Sequence, residues 1–193
     1  MRYYIRSAQV AQFALDIIFV VDASRNIGSA IFAQATFFIS QLIDYLEVDS
    51  GLIQVGACSY SANVVSSFSL NAHRTIVAVK SAVLSLSYSG GNANTAAALS
   101  FVRTTMLTSA AGYRSNVPNH IVILTDGPST DPLAVRVSAM KRYPVSSCVH
   151  LSLKGTVITA KNAKYSLYTT LTYDCRLLGR CRCLHAAPVG QLR

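Results

Sequence analysis

Asp22, Ser24 and Asn26 occupy alternate positions in Asp22-Ala23-Ser24-Arg25-Asn26, directly after the apolar run Ile17-Ile18-Phe19-Val20-Val21. A carboxylate, a hydroxyl and a carboxamide at the carboxyl end of a buried strand form a compact set of oxygen donors, which is what a hard divalent cation requires. Two later segments carry donors of the same kind. Gly90-Gly91-Asn92-Ala93-Asn94-Thr95 ends on a hydroxyl, and Ile121-Val122-Ile123-Leu124-Thr125-Asp126-Gly127 is a second apolar run closed by an acid. The candidate metal ligands are therefore Asp22, Ser24, Asn26, Thr95 and Asp126. Each motif also has a plainer reading. Asp22 and Ser24 are good helix caps, Thr95 is a helix-start residue, and Gly90-Gly91 and Asp126-Gly127 are ordinary turn sequences.

The pattern of apolar residues indicates which elements hold these groups. Phe13 to Val21 is apolar except for Asp16, as in a strand covered on both faces. Ile31, Ala35, Phe38, Ile39, Leu42, Ile43 and Leu46 then recur at helical spacing, predicting an amphipathic helix over about 29–47. Leu52 to Tyr60 and Val64 to Leu70 read as strands joined by Ser61-Ala62-Asn63. So short a link forces antiparallel pairing, because a parallel crossover needs about a dozen residues. Helices follow over about 73–86 and 95–107, then the strand Ile121 to Thr125, and a helix from Pro132 to Arg142 started by Asp131. Ser147 to Leu153 alternates as a further strand, and Thr156 to Ile158 adds a short edge. This order predicts an α/β, Rossmann-like doubly wound sandwich, with a mostly parallel central sheet, one short antiparallel edge strand and helices on both faces. In such a sheet, ligands lie beyond the carboxyl ends of the strands, where Asp22, Thr95 and Asp126 are expected to converge.

At 193 residues with 51% hydrophobic composition, the chain has enough apolar surface for one substantial core and too much for disorder. The net charge of +9 is not spread through the fold. Residues 1–140 carry eight Lys/Arg against seven Asp/Glu, whereas residues 141–193 carry nine against the single Asp174. A terminal block of that kind reads as a solvated basic tail rather than a nucleic-acid face. The expected organisation is a domain over 13–170, with its pattern clearest at 15–141, and a basic tail over 171–193. Cys58 lies in a strand-like run and reads as a buried thiol. Cys148, Cys175, Cys181 and Cys183 show no zinc-knuckle spacing, and their pairing stays open. The four histidines are scattered without metal-like spacing. The first six residues do not read as a signal peptide, and no apolar run approaches the length of a membrane span.

Together the three motifs resemble the metal-ion-dependent adhesion site of von Willebrand factor type A domains. The matches are Asp22 with Ser24, Gly90-Gly91 with Thr95, and Thr125-Asp126-Gly127; Val55-Gly56 leading to Ser59-Tyr60-Ser61 extends the similarity, which covers about 15–141. Asn26 stands where the family has a second serine, so a carboxamide takes the place of a hydroxyl there. Beyond Lys141 the family's final strand motif and helix have no clear counterpart.

The resemblance implies a non-enzymatic, secreted adhesion domain of the matrilin and collagen VI type. It implies a divalent cation, Mg²⁺ first and Mn²⁺ or Ca²⁺ otherwise, bound directly by Ser24 and Thr95 and directly or through water by Asp22 and Asp126. The implied partner is an extracellular-matrix or adhesion protein, collagen-like among others, that offers an acidic residue to the cation. A structural matrix module with a degenerate site is the alternative. A Mg²⁺-dependent phosphohydrolase using Asp22 as nucleophile is a weaker one, because such chemistry wants a second acid where Ser24 stands. Dinucleotide and phosphate-loop motifs are absent.

Overall fold

The computed structural model describes residues 14–125 and the strand at 147–152. Asp126, the helix expected from Pro132, the short edge at Thr156 and the basic tail lie outside the described residues. Five strands form one sheet in the order β3-β2-β1-β4-β5: β1 (Leu15–Asp22), β2 (Ile53–Tyr60), β3 (Val64–Phe68), β4 (Asn119–Thr125) and β5 (Ser147–Ser152). β1 runs parallel to β2 and β4, and β4 parallel to β5. β3 is antiparallel to β2 at the sheet's edge, as the three-residue link requires. The doubly wound fold expected from the order of elements is therefore the one observed.

β1 is the hub. It is buried along nearly its whole length, and alternate side chains feed two cores. Ile17, Phe19 and Val21 pack with Phe32, Ala35, Ile39 and Ile43 of α1 (Gly28–Ile43) and Val79 and Val83 of α2 (Ile76–Leu84). Ile18 and Val20 face the opposite core with Ala98 and Leu99 of α3 (Thr95–Phe101), Val102 and Met106. A strand shielded on both faces must be apolar at every position, which is why β1 reads as a continuous run rather than an alternating one.

Several boundaries differ from the expectation. α1 stops at Ile43, so Leu46 lies beyond it in the turn that leads to β2. Its buried stripe runs Phe32, Ala35, Thr36, Ile39, Ser40, Ile43, while Ile31 is 37% exposed. Thr36 and Ser40 can sit on that stripe because their hydroxyls donate to Ala33 O and Phe37 O within the helix. The helix expected over 95–107 is α-helical only to Phe101, then loosens into a π-helical turn at Val102–Met106. Asp16, the break in the first apolar run, is fully buried and is answered by Arg114 from the loop before β4.

Candidate metal centre

Strand order places a topological switch between β1 and β4. From β1 the chain crosses to β2 on one side, and it later enters β4 on the other. A crevice opens at the carboxyl ends of strands at such a point, and Asp22 ends β1 there, in register with Tyr60 at the end of β2. Thr125 ends β4 on the other flank.

Asp22 is completely buried, and its carboxylate is held from two directions. Ser24 N donates to Oδ1 at 2.9 Å, and Thr125 Oγ1 donates to Oδ2 at 2.7 Å across the sheet. The first bond closes the tight turn that leads out of β1. It also answers the capping alternative, because the N-cap of α1 is Ile27 and no side chain caps that helix. A carboxylate offers about four lone-pair sites, so two bonds leave acceptor capacity on Asp22.

Ser24 is also fully buried, and its Oγ is without a hydrogen-bond partner among the described residues. Burying an unpaired hydroxyl is unfavourable, so such an atom in a native fold calls for an explanation. A cation ligated by that oxygen supplies one. Together with a neighbouring carboxylate and a second hydroxyl, it makes a donor set suited to a hard divalent ion.

The loop that carries the second hydroxyl is fastened to the first by backbone bonds. Arg25 N donates to Gly91 O and Gly90 N to Ala23 O, both at 2.9 Å. Gly90 and Gly91 have φ of 71° and 88°, the left-handed conformation that glycine adopts without penalty, and this aims their amide and carbonyl at the β1 turn. The exposed Arg25 reinforces the junction, its Nη2 donating to Asn92 Oδ1 at 2.5 Å. Farther along, Asn94 N donates to Ser61 O, and Asn94 Oδ1 caps α3 by accepting from Ala97 N. That cap makes Thr95 the first residue of α3, buried, with Oγ1 3.0 Å from the Tyr60 hydroxyl.

Asp22, Ser24 and Thr95 are thus gathered at one end of the sheet, within a single linked cluster of loops. Asn26 lies exposed in the turn between β1 and α1, and no hydrogen bond ties its amide to the other three among the described residues. Asp126 lies outside the described residues, directly after Thr125. Two groups at the site had no role in the sequence reading. Thr125 acts through Asp22, and Tyr60 places a phenol beside Thr95. The phenol's pKa is pushed up, first by burial and then by the Asp22 charge, while hydrogen bonds with Thr95 and Thr125 oppose the rise. A tyrosine at the last position of a strand adjoining β1 was the available signal.

The von Willebrand factor type A domain model of protein families matches residues 16–167. Among curated proteins, the chain is 36% identical over 129 residues to the collagen alpha-4(VI) chain of Mus musculus, covering 66% of this chain and 6% of that one. It is 34% identical over 118 residues to matrilin-1 of Homo sapiens, covering 61% of this chain and 24% of the relative. The chain therefore spans a small part of these relatives' length. Among solved structures, it superposes on proximal thread matrix protein 1 of the mussel byssus with a TM-score of 0.65 at 22% identity, over 72% of this chain and 37% of that one. The same mussel protein has been solved with a zinc-occupied MIDAS motif. On the family match and the collagen and matrilin relatives, the chain belongs to the von Willebrand factor type A domain family.

Proposed function

We propose that this domain is a non-enzymatic, cation-dependent protein-binding module of the extracellular matrix. The observation that carries the reading is the buried Ser24 Oγ beside Asp22, without a hydrogen-bond partner among the described residues. Asp22, Ser24, Asn26, Thr95 and Asp126 are the proposed ligands, with Mg²⁺ as the first candidate and Mn²⁺ or Ca²⁺ as alternatives. Ser24 and Thr95 contribute neutral oxygens, and where Asp22 and Asp126 act through water the direct ligands under-compensate a doubly charged ion. A bound cation supplies attraction for one more anionic oxygen, which an acidic residue of a matrix or adhesion partner provides. The exposed Arg25, next to Ser24 in sequence, adds positive charge near the site. Adhesion of this kind needs no nucleophile or general base.

The collagen and matrilin relatives support a matrix setting and secretion, and the zinc-occupied MIDAS of the mussel protein supports metal binding in this fold. We read 13–170 as the domain and 171–193 as a basic extension of it. The exposure of Asn26 favours one rival, a structural matrix module whose site no longer holds metal. Calorimetric titration with Mg²⁺, Mn²⁺ and Ca²⁺ separates the two. The adhesion reading expects saturable binding that Asp126→Ala abolishes, and partner binding that EDTA reverses. Absence of binding by the wild type, or unchanged binding in Asp126→Ala, sinks it.

A further inference from the structure

The two loops that frame the candidate site share a single formal charge. Residues 23–28 after β1 and residues 87–95 of the glycine loop contain no Asp, Glu, Lys, His or Arg other than Arg25. Asp22, the acid just before them, is fully buried and engaged by Ser24 N and Thr125 Oγ1. Arg25 is exposed, and no carboxylate pairs with it among the described residues. Its place is nonetheless fixed. The backbone N donates to Gly91 O at 2.9 Å, and Nη2 donates to Asn92 Oδ1 at 2.5 Å. The residue thus spans the seam between the turn that carries Ser24 and the loop that leads from Asn92 to Thr95. A guanidinium has five N–H donors, and Asn92 takes one of them.

We propose that Arg25 is a specificity-determining residue of the cation site: it grips a second carboxylate of the partner, so that the domain selects protein segments with two acidic side chains close together, one for the cation and one for the guanidinium. The planar fork matches a carboxylate, setting parallel N–H donors against its two oxygens. Tethering to the neutral Asn92, rather than to an acid, orients the group without cancelling its charge. Order imposed before binding lowers the entropy lost when a partner docks. The same charge acts against the ion, because like charges repel. Arg25 therefore disfavours the cation and favours the acidic partner, two effects of opposite sign. The inference rests on the cation-dependent reading above and adds the kind of partner sequence that such a site accepts.

The test uses the whole 193-residue chain. Wild type, Arg25→Gln and Arg25→Lys are titrated with Mg²⁺ by calorimetry. At saturating Mg²⁺ each is then titrated with the end-capped peptides Gly-Glu-Gly-Glu-Gly and Gly-Glu-Gly-Gln-Gly, followed by NMR shifts. Wild type is expected to favour the two-acid peptide by about fivefold, the upper scale of an exposed ion pair. Arg25→Gln should lose that preference, hold the one-acid peptide within about twofold of wild type, and bind Mg²⁺ equally well or about twofold tighter. Arg25→Lys should keep part of the preference, since an ammonium retains the charge and not the fork. A residue that only braces the loops has the reverse effect on the ion: Arg25→Gln then weakens Mg²⁺ and both peptides together, which overturns the proposal. A wild type without the preference, or a preference that Arg25→Gln leaves unchanged, overturns the role of Arg25 and spares the cation reading. A wild type that binds no Mg²⁺ overturns both.

Discussion

Ser24, a proposed ligand, carries a cost for the fold. Its hydroxyl is buried without a partner among the described residues, which disfavours the native state in the absence of a cation. Ser24→Ala removes that cost and leaves the Ser24 N to Asp22 bond intact, because that bond uses the backbone. The variant is expected to be as stable as wild type or more so, by up to about 1 kcal/mol in chemical denaturation with EDTA present. Its Mn²⁺ affinity should fall steeply in calorimetry. A loss of stability in EDTA would mean that the hydroxyl has a structural partner. Cys58 is a contrasting case: burial pushes its thiol up to about 12, so it behaves as a small apolar core residue.

At the scale of elements, Arg114 fastens the end of the sheet opposite the site. Its guanidinium grips Asp16 Oδ1 through Nε at 2.9 Å and Nη2 at 2.6 Å, and its backbone N donates to Oδ2. The same side chain donates to the carbonyls of Leu15, Gly51 and Leu52. The start of β1, the turn into β2 and the loop before β4 are thus held by one residue. Removing it leaves a fully buried carboxylate with only a backbone donor among the described residues, and breaking a buried pair from one side costs about 3–5 kcal/mol. Arg114→Ala should lose stability on that scale in urea denaturation. Arg114→Lys should recover only part, because an ammonium cannot reproduce the fork. Loss of less than about 1 kcal/mol in Arg114→Ala would show the clamp to be dispensable.

Across the whole molecule, the candidate site and a scaffolding clamp occupy opposite ends of β1. Asp16 and Arg114 anchor its amino end, and Asp22 stands at its carboxyl end within the switch-point crevice. The covered strand between them brings loops from distant parts of the chain together at its carboxyl end. Stability of the whole should also depend on pH through His120 of β4, whose pKa is lowered from 6.5 because burial disfavours its charged form. As pH falls below 6.5, the unfolded chain takes up a proton there before the folded chain does, so stability is lost on the acid side and is complete above it. Denaturation midpoints should therefore fall from pH 7.5 to 5.5 by more in wild type than in His120→Gln. Equal slopes would remove His120 as the cause.

The sequence by itself determined what local periodicity encodes. Unbroken apolarity of residues 17–21 marked a doubly covered strand, the three-residue link after Tyr60 required an antiparallel edge, and three ordered motifs marked the end of the sheet where oxygen donors gather. Tertiary structure alone decided which groups touch. Asp16 looked like a mere interruption because its partner, Arg114, lies 98 positions away in a loop without periodicity. The buried face of α1 turned from Ile31 to Phe32 because the angle at which a helix docks is set by the sheet beneath it. Tyr60 meets Thr95 only because β2 aligns with β1 so that Tyr60 faces Asp22, while the Asn94 cap sets the first turn of α3. Periods of two and 3.6 residues are written along the chain, whereas register, docking angle and loop closure are properties of the packed whole.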